Sequence, residues 1–306
     1  VSAPGVASLA PLVFDNTPAP RAKFDWGRLI RYALLVFSVV LVLIPVYVLI
    51  VTSFKNVGDA DPSRAWSFPR IWSLDSWVTA WEGSTAMPSV GAALGRTAMM
   101  VIPAAIISSF LGSMNGFVLS RWRFRGANII FTLILFGMFI PYQAVMVPLF
   151  SMMSGLWKAH LLTPGMWTLI LLHVVYGIPI TTLIFRNYYQ NVPLELVEAA
   201  KVDGAGMLGT YARIILPISV PSFVVVLIWQ FTSAWNDFLF ATFFGGNPTT
   251  QSPVTVTLNM IAHGSMLSNY GAAMAGALLA SLPTLVIYII LGRYFVGGLM
   301  AGSVKG

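Results

Sequence analysis

The chain has 306 residues, 57% apolar and only 9% charged, where a soluble domain carries roughly 25% charge, so the composition argues against a water-soluble fold. It has no cysteine, which excludes a disulfide framework and a thiolate metal site. A net charge of +7 would point a soluble protein toward nucleic acid, but here the basic residues sit in short segments between apolar runs, which is the pattern of membrane topology.

Residues 1–20 hold four prolines and no helical or strand period, so they read as a flexible tail. Arg21, Lys23, Arg28 and Arg31 extend it into a basic cytoplasmic flank, 1–31. The first apolar run, 32–54, has 23 uncharged residues, too many for a signal-peptide core and enough to cross a bilayer of about 30 Å. Residues 55–91 mix charges with Trp66, Trp72, Trp77 and Trp81 and are expected outside. The second span, 97–120, is rich in Gly, Ala and Ser, residues that let helices approach closely in lipid. Further spans are expected at 128–150, 165–185, 218–244 and 270–292, with an inner segment at 186–217, an uncharged outer loop at 245–269 and a short tail at 296–306.

The fold class is therefore an all-α membrane protein, a polytopic bundle of six transmembrane helices occupying 32–295. Of the 17 Lys and Arg residues, all but Lys55, Arg64, Arg70, Arg96 and Lys158 fall in inner segments on this map, which places both termini in the cytoplasm. A multi-pass position in the bacterial plasma membrane follows. His160, His173 and His263 are far apart and share no ligand spacing, so no metal site is expected and their expected roles are interfacial or packing.

The inner segment holds two short helices. Pro193 suits a first helical turn, Glu195 and Glu198 favour the positive end of the helix dipole, Gly204 permits a reversal, and Pro217 marks the start of the fifth span. Taken alone this is an interfacial linker. Its full pattern is Glu198-Ala199-Ala200, three residues, Gly204, nine residues, Ile214, one residue, Leu216-Pro217. That pattern resembles the signature of permease subunits of binding-protein-dependent ABC importers. The resemblance implies the type I importer permease fold and a coupling helix that docks in a cleft of a cytoplasmic ATPase subunit. Glu198, Ala199, Ala200 and Gly204 would form the docking knob, with Lys201 and Asp203 as polar neighbours.

A second resemblance is carried by Trp235-Asn236-Asp237-Phe-Leu-Phe-Ala241 and by the ending from Arg293 to Gly306, which are similar to the smaller permease of carbohydrate importers of the maltose and glucose type. It implies a second homologous permease, two ATPase subunits carrying ATP and Mg, an extracytoplasmic sugar-binding protein, and a sugar substrate such as a glucose-like monosaccharide or a small α-glucoside. No cofactor is expected on this chain, and no nucleic acid. Ser303, Lys305 and Gly306 would approach the ATPase pair, and the loop 245–269 would reach a docked binding protein.

Asp237 is the notable ionisable group within the spans, and a carboxylate there is costly unless it faces a cavity or a partner. Gln230, Trp235 and Asn236 lie near it, and Tyr142 and Gln143 follow Pro141 in the third span. These six are candidates for the substrate path; helix capping, bracing and kinking are the plainer roles. No catalytic constellation can be assembled, and no phosphate-cradling GxxxxGK[ST] occurs. The competing class is an ion-coupled secondary transporter that uses Asp237.

Overall fold

The computed structural model describes residues 26–300 apart from 57, 86, 123 and 264–268, with only the backbone described for 293–300. The tail through Lys23, and with it Ser303, Lys305 and Gly306, lies outside the described residues. The chain divides into two compact units, Val1–Val46 and Tyr47–Gly306. What is described of the first is most of helix α1 (Trp26–Ser53), which contains Pro45.

In the second unit α1 ends and a short 3-10 turn (Pro62–Arg64) and α2 (Asp75–Glu82) follow. Then come α3 (Val90–Arg121), α4 (Ala127–Phe139), α5 (Met146–Lys158), α6 (Met166–Gln190), α7 (Leu194–Val202) and α8 (Met207–Thr210). A π-helical turn (Tyr211–Ile215) leads into α9 (Leu216–Ile218), α10 (Val220–Trp235), α11 (Leu239–Phe244), α12 (Val254–His263) and α13 (Tyr270–Met300). No strand occurs among the described residues, only isolated bridges at Lys55 with Trp72 and at Ser84 with Met87. Among the described residues four helices are long and apolar enough to cross a membrane, namely α1, α3, α6 and α13, and the pair Met207–Ile218 with Val220–Trp235, bent by 80°, makes a fifth if it is counted as one broken span.

The helices differ from the sequence-based spans in instructive ways. Helix α3 starts at Val90, ahead of the expected 97, because Ser89 caps it by accepting from Ala92 N at 3.0 Å. Arg96, now inside the helix, donates to the Ser252 carbonyl at 3.0 Å. The apolar run 128–150 is two helices, α4 and α5, parted at 140–145 where Pro141 cannot continue the backbone ladder. The expected fifth span is likewise interrupted between α10 and α11. The segment 245–269 contains α12, whose Val254, Val256, Thr257 and Ile261 are buried. Val254 N donates to the Thr97 hydroxyl at 2.8 Å, so this part of the expected loop is packed on α3.

The most extensive helix–helix interface is α3 with α6. Ser108, Gly112 and Gly116 repeat every four residues on α3 and face Gly177, Thr181 and Phe185, also four apart, on α6. A Cβ at Gly112 would lie 2.8 Å from the Thr181 carbonyl carbon, and one at Gly116 would lie 2.8 Å from Arg186 N. The backbones are thus as close as small residues allow. The Thr181 hydroxyl reaches the Ser108 carbonyl at 3.1 Å, and the Gln230 amide of α10 donates to the Ser108 hydroxyl at 3.0 Å. Gly116→Val should therefore cost about 1–3 kcal/mol by overpacking and lower the melting temperature of the detergent-solubilised protein. Gly95→Ala on the same helix, where an added Cβ meets nothing within 4 Å, should leave it unchanged.

Candidate functional site

Two features stand out: an exposed helical turn between α6 and α8, and a cavity beside the broken helices. Helix α7 follows Pro193, carries Glu195 in its first turn and Lys201 in its last, and so matches its own dipole at both ends. It closes on a Schellman motif: Ala205 N donates to the Ala200 carbonyl at 2.8 Å and Gly204 N to the Lys201 carbonyl at 3.0 Å. Gly204 has φ +78°, a conformation that other residues adopt only with strain.

The inward face of α7 is Val197 and Ala200, both buried, with Val197 packed in a cluster that includes Phe117, Phe185, Tyr189, Tyr211 and Ile215. Glu198, Ala199, Asp203 and Gly204 are exposed, and Val202 is 87% exposed. Lys201 holds its ammonium 4.4 Å over the Trp122 ring. Ala200 is thus part of the fold's interior and not of the outward face with which the motif groups it.

The joint beneath α7 is held by polar contacts. Arg121, the last residue of α3, donates to the Tyr189 carbonyl at 2.7 Å and to the Val192 carbonyl. The Ser113 and Tyr189 hydroxyls are 2.6 Å apart, Tyr211 donates to Ser113 at 2.9 Å, and Ser219 donates to Tyr189 at 3.0 Å. Ser219 sits at the 80° bend that leads into α10, so one hydroxyl cluster ties α3, α6, the π-helical turn and the bend together.

The cavity has a volume of about 1090 Å³ and is bounded by the α4–α5 break, α6, and the α10–α11 break. Tyr142, Gln230, Asn236 and Asp237 line it together, as do His173 and Tyr176. Asp237 accepts from Phe240 N at 3.3 Å and Ala241 N at 3.0 Å, and so caps α11. Its backbone carbonyl accepts from the Thr255 hydroxyl at 2.6 Å. His173 Nε2 lies 3.7 Å from the Asp237 carboxylate. Tyr142, Tyr176 and His173 all pack around the Phe240 ring, with centroids 5.4, 5.0 and 5.7 Å away.

A family model described as "Binding-protein-dependent transport system inner membrane component" matches residues 104–299. The chain belongs to this family. It is 36% identical over 287 residues to a xylose/arabinose import permease protein of Haloferax volcanii, covering 89% of this chain and 92% of that one. It is 32% identical over 267 residues to a melibiose/raffinose/stachyose import permease protein of Bacillus subtilis, covering 86% and 91%. Among solved structures, a chain from a bacterial ABC transporter involved in the import of the acidic polysaccharide alginate superposes with a TM-score of 0.69 at 18% identity, covering 88% of this chain and 96% of that one. The chain is thus an all-helical importer permease in fold.

Within this permease, two of the six substrate-path candidates are not at the cavity. Trp235 is buried, stacks on Phe231 and donates to the Ala280 carbonyl at 3.0 Å, bracing α10 against α13. Gln143 is exposed and does not line the cavity. His173 was not a candidate, since its partner is remote in sequence and only the fold brings them together. Because Asp237 caps α11, Asp237→Ala should destabilise the solubilised permease by about 0.5–2 kcal/mol. Asp237→Asn, which keeps one acceptor oxygen, should recover most of that loss in the same thermal melt.

Proposed function

We propose that the chain is one permease half of an ATP-driven importer of small neutral sugars, coupled to its ATPase through the exposed face of α7. The observation that carries this is the arrangement of the Glu198-Ala199-Ala200…Gly204 signature. Its outward residues lie on a helix that closes in a Schellman turn, and Val197 on the inner side of that helix packs with Phe117 of α3 and with Phe185 and Tyr189 of α6. The relatives' named substrates, xylose and arabinose in one and melibiose, raffinose and stachyose in the other, support a neutral sugar and widen the expected range beyond glucose-like monosaccharides and α-glucosides. The competing ion-coupled class rests on Asp237, the single carboxylate that lines the cavity, where that class usually places several ionisable groups.

In the proposed assembly a second homologous permease completes the translocation path, two ATPase subunits bind ATP and Mg, and a binding protein delivers sugar on the outer side. Both termini of this subunit lie in the cytoplasm. Closure of the ATPase pair displaces α7. Arg121 and the hydroxyl cluster around Tyr189 pass that displacement to the α3–α6 pair, and Ser219 passes it across the bend to α10 and the cavity wall. Sugar released outside then meets a cavity opened by the same motion.

Glu198→Lys reverses a charge on the exposed face, and Gly204→Asp strains the turn that presents it. Each should reduce sugar-stimulated ATP hydrolysis by the purified complex at least tenfold while the amount of membrane-inserted protein stays at the wild-type level. Full stimulation in both variants would rule out the assignment of α7 as the coupling element.

A further inference from the structure

We propose that His173 Nε2 and the Asp237 carboxylate together form a hydroxyl-binding subsite for a neutral sugar within this subunit, an inference that rests on the sugar-importer reading. Both side chains are about nine-tenths buried, 8% and 10% exposed, and both line the cavity at the α10–α11 break. His173 Nε2 makes no hydrogen bond within the protein. Native structures leave few buried polar atoms without a partner, because an unpaired one keeps its full desolvation cost. The nitrogen itself is covered in this state while the ring that carries it lines the cavity, so a turn of the ring would bring an atom with unused hydrogen-bonding capacity to a ligand.

The 3.7 Å between Nε2 and Oδ2 exceeds a direct hydrogen bond, which spans about 2.7–3.2 Å. With the His173 ring turned toward the cavity, a single hydroxyl would come within reach of both atoms. A hydroxyl donates one proton and accepts through two lone pairs, so with Nε2 protonated it accepts from His173 and donates to Asp237. The carboxylate is held ready for this: the Phe240 and Ala241 amides each take one of its oxygens and leave further acceptor capacity. Its position does not have to be set when the ligand arrives.

The surroundings fit a sugar better than a cation. The wall beside the pair is aromatic, built from Tyr142, Tyr176 and Phe240, and a mostly apolar cavity with a few fixed polar groups is the usual form of a small-molecule site. Among the described residues no group of three metal-ligating side chains occurs, and Asp237 is the single carboxylate lining this cavity. His173 lies seven residues into α6, roughly 10 Å along the helix from its start at a rise of 1.5 Å per residue. A sugar would meet the subsite well before it reached the α7 end of the same helix.

The test uses the complete complex, with its second permease, ATPase and binding protein, in proteoliposomes. ATP-dependent uptake of radiolabelled D-xylose, L-arabinose, D-glucose and melibiose is measured first, then that of monodeoxy analogues of each transported sugar. Uptake is corrected for the binding protein's separately measured affinity for each analogue. In the wild type one analogue should be transported about tenfold less well than its parent, the loss expected when a buried hydrogen-bonding site goes unfilled. In His173→Phe, which keeps a ring but removes Nε2, parent and analogue should be transported equally. His173→Gln, with an amide donor near the Nε2 position, should restore part of the preference.

An unchanged preference in His173→Phe, or an equal fall for parent and analogue, would overturn the subsite and leave the importer intact. A wild-type complex that takes up none of these sugars in an ATP-dependent way would overturn the small-neutral-sugar reading on which the subsite rests. His173→Gln also guards against misfolding, since it retains a polar group of similar reach. Its co-purification with the other subunits shows assembly apart from transport.

Discussion

The close approach of α3 and α6 is the constraint on which the rest of this permease depends. In lipid, apolar side chains gain little by leaving their surroundings for one another, so helices associate through van der Waals contact and interhelical hydrogen bonds. Both require that backbones come near, and the repeat of Ser108, Gly112 and Gly116 against Gly177, Thr181 and Phe185 meets that need. Gln230 extends the same contact to α10: its amide fills the place that a side chain at Gly177 would occupy and bonds to Ser108. Helix α10 is thereby held against the pair at the depth of the cavity.

Rigidity along α3 and α6 makes their ends informative. At one end Arg121 and the Ser113, Tyr189, Tyr211 and Ser219 hydroxyls gather the helix termini and the bend beneath α7. Toward the other, His173 and Tyr176 of α6 face two interrupted helices. Irregular backbone is tolerated at membrane depth where it is buried in protein or lines a cavity, and the interruptions at 140–145 and 236–238 both border this one. Asp237 is the chemistry that permits the second interruption, since its carboxylate satisfies amides that the missing helical turn would have left bare.

Much of this was legible in the sequence, for physical reasons that also explain what was hidden. Long uncharged runs and the signature from Glu198 to Pro217 are local patterns, and they led to the helical bundle and to the family. Gly204 was readable because its left-handed turn depends on glycine alone. Helix continuity was not, since the run 128–150 is apolar throughout and composition does not show how Pro141 will part it. Nor was facing: Ala199 and Ala200 are adjacent and alike, yet one is exposed and the other buried, because only tertiary packing decides which side of α7 meets Phe117 and Tyr189. Tyr142, Gln230, Asn236 and Asp237 converge on the cavity, but Trp235 turns away to α13. His173 carried no sequence signal, as its neighbour Asp237 arrives from another helix pair.

The most direct measurement of the central claim, that the outward face of α7 meets the ATPase, is site-directed cross-linking, which the absence of native cysteine in this chain makes clean. Single-cysteine variants Ala199→Cys and Ala200→Cys would each be co-expressed with the ATPase carrying one cysteine in the candidate cleft, then oxidised and resolved by mass. A disulfide to the ATPase from position 199, with none from the buried position 200, is the predicted result. A cross-link from neither position in an assembled complex, or from 200 in preference to 199, would contradict it.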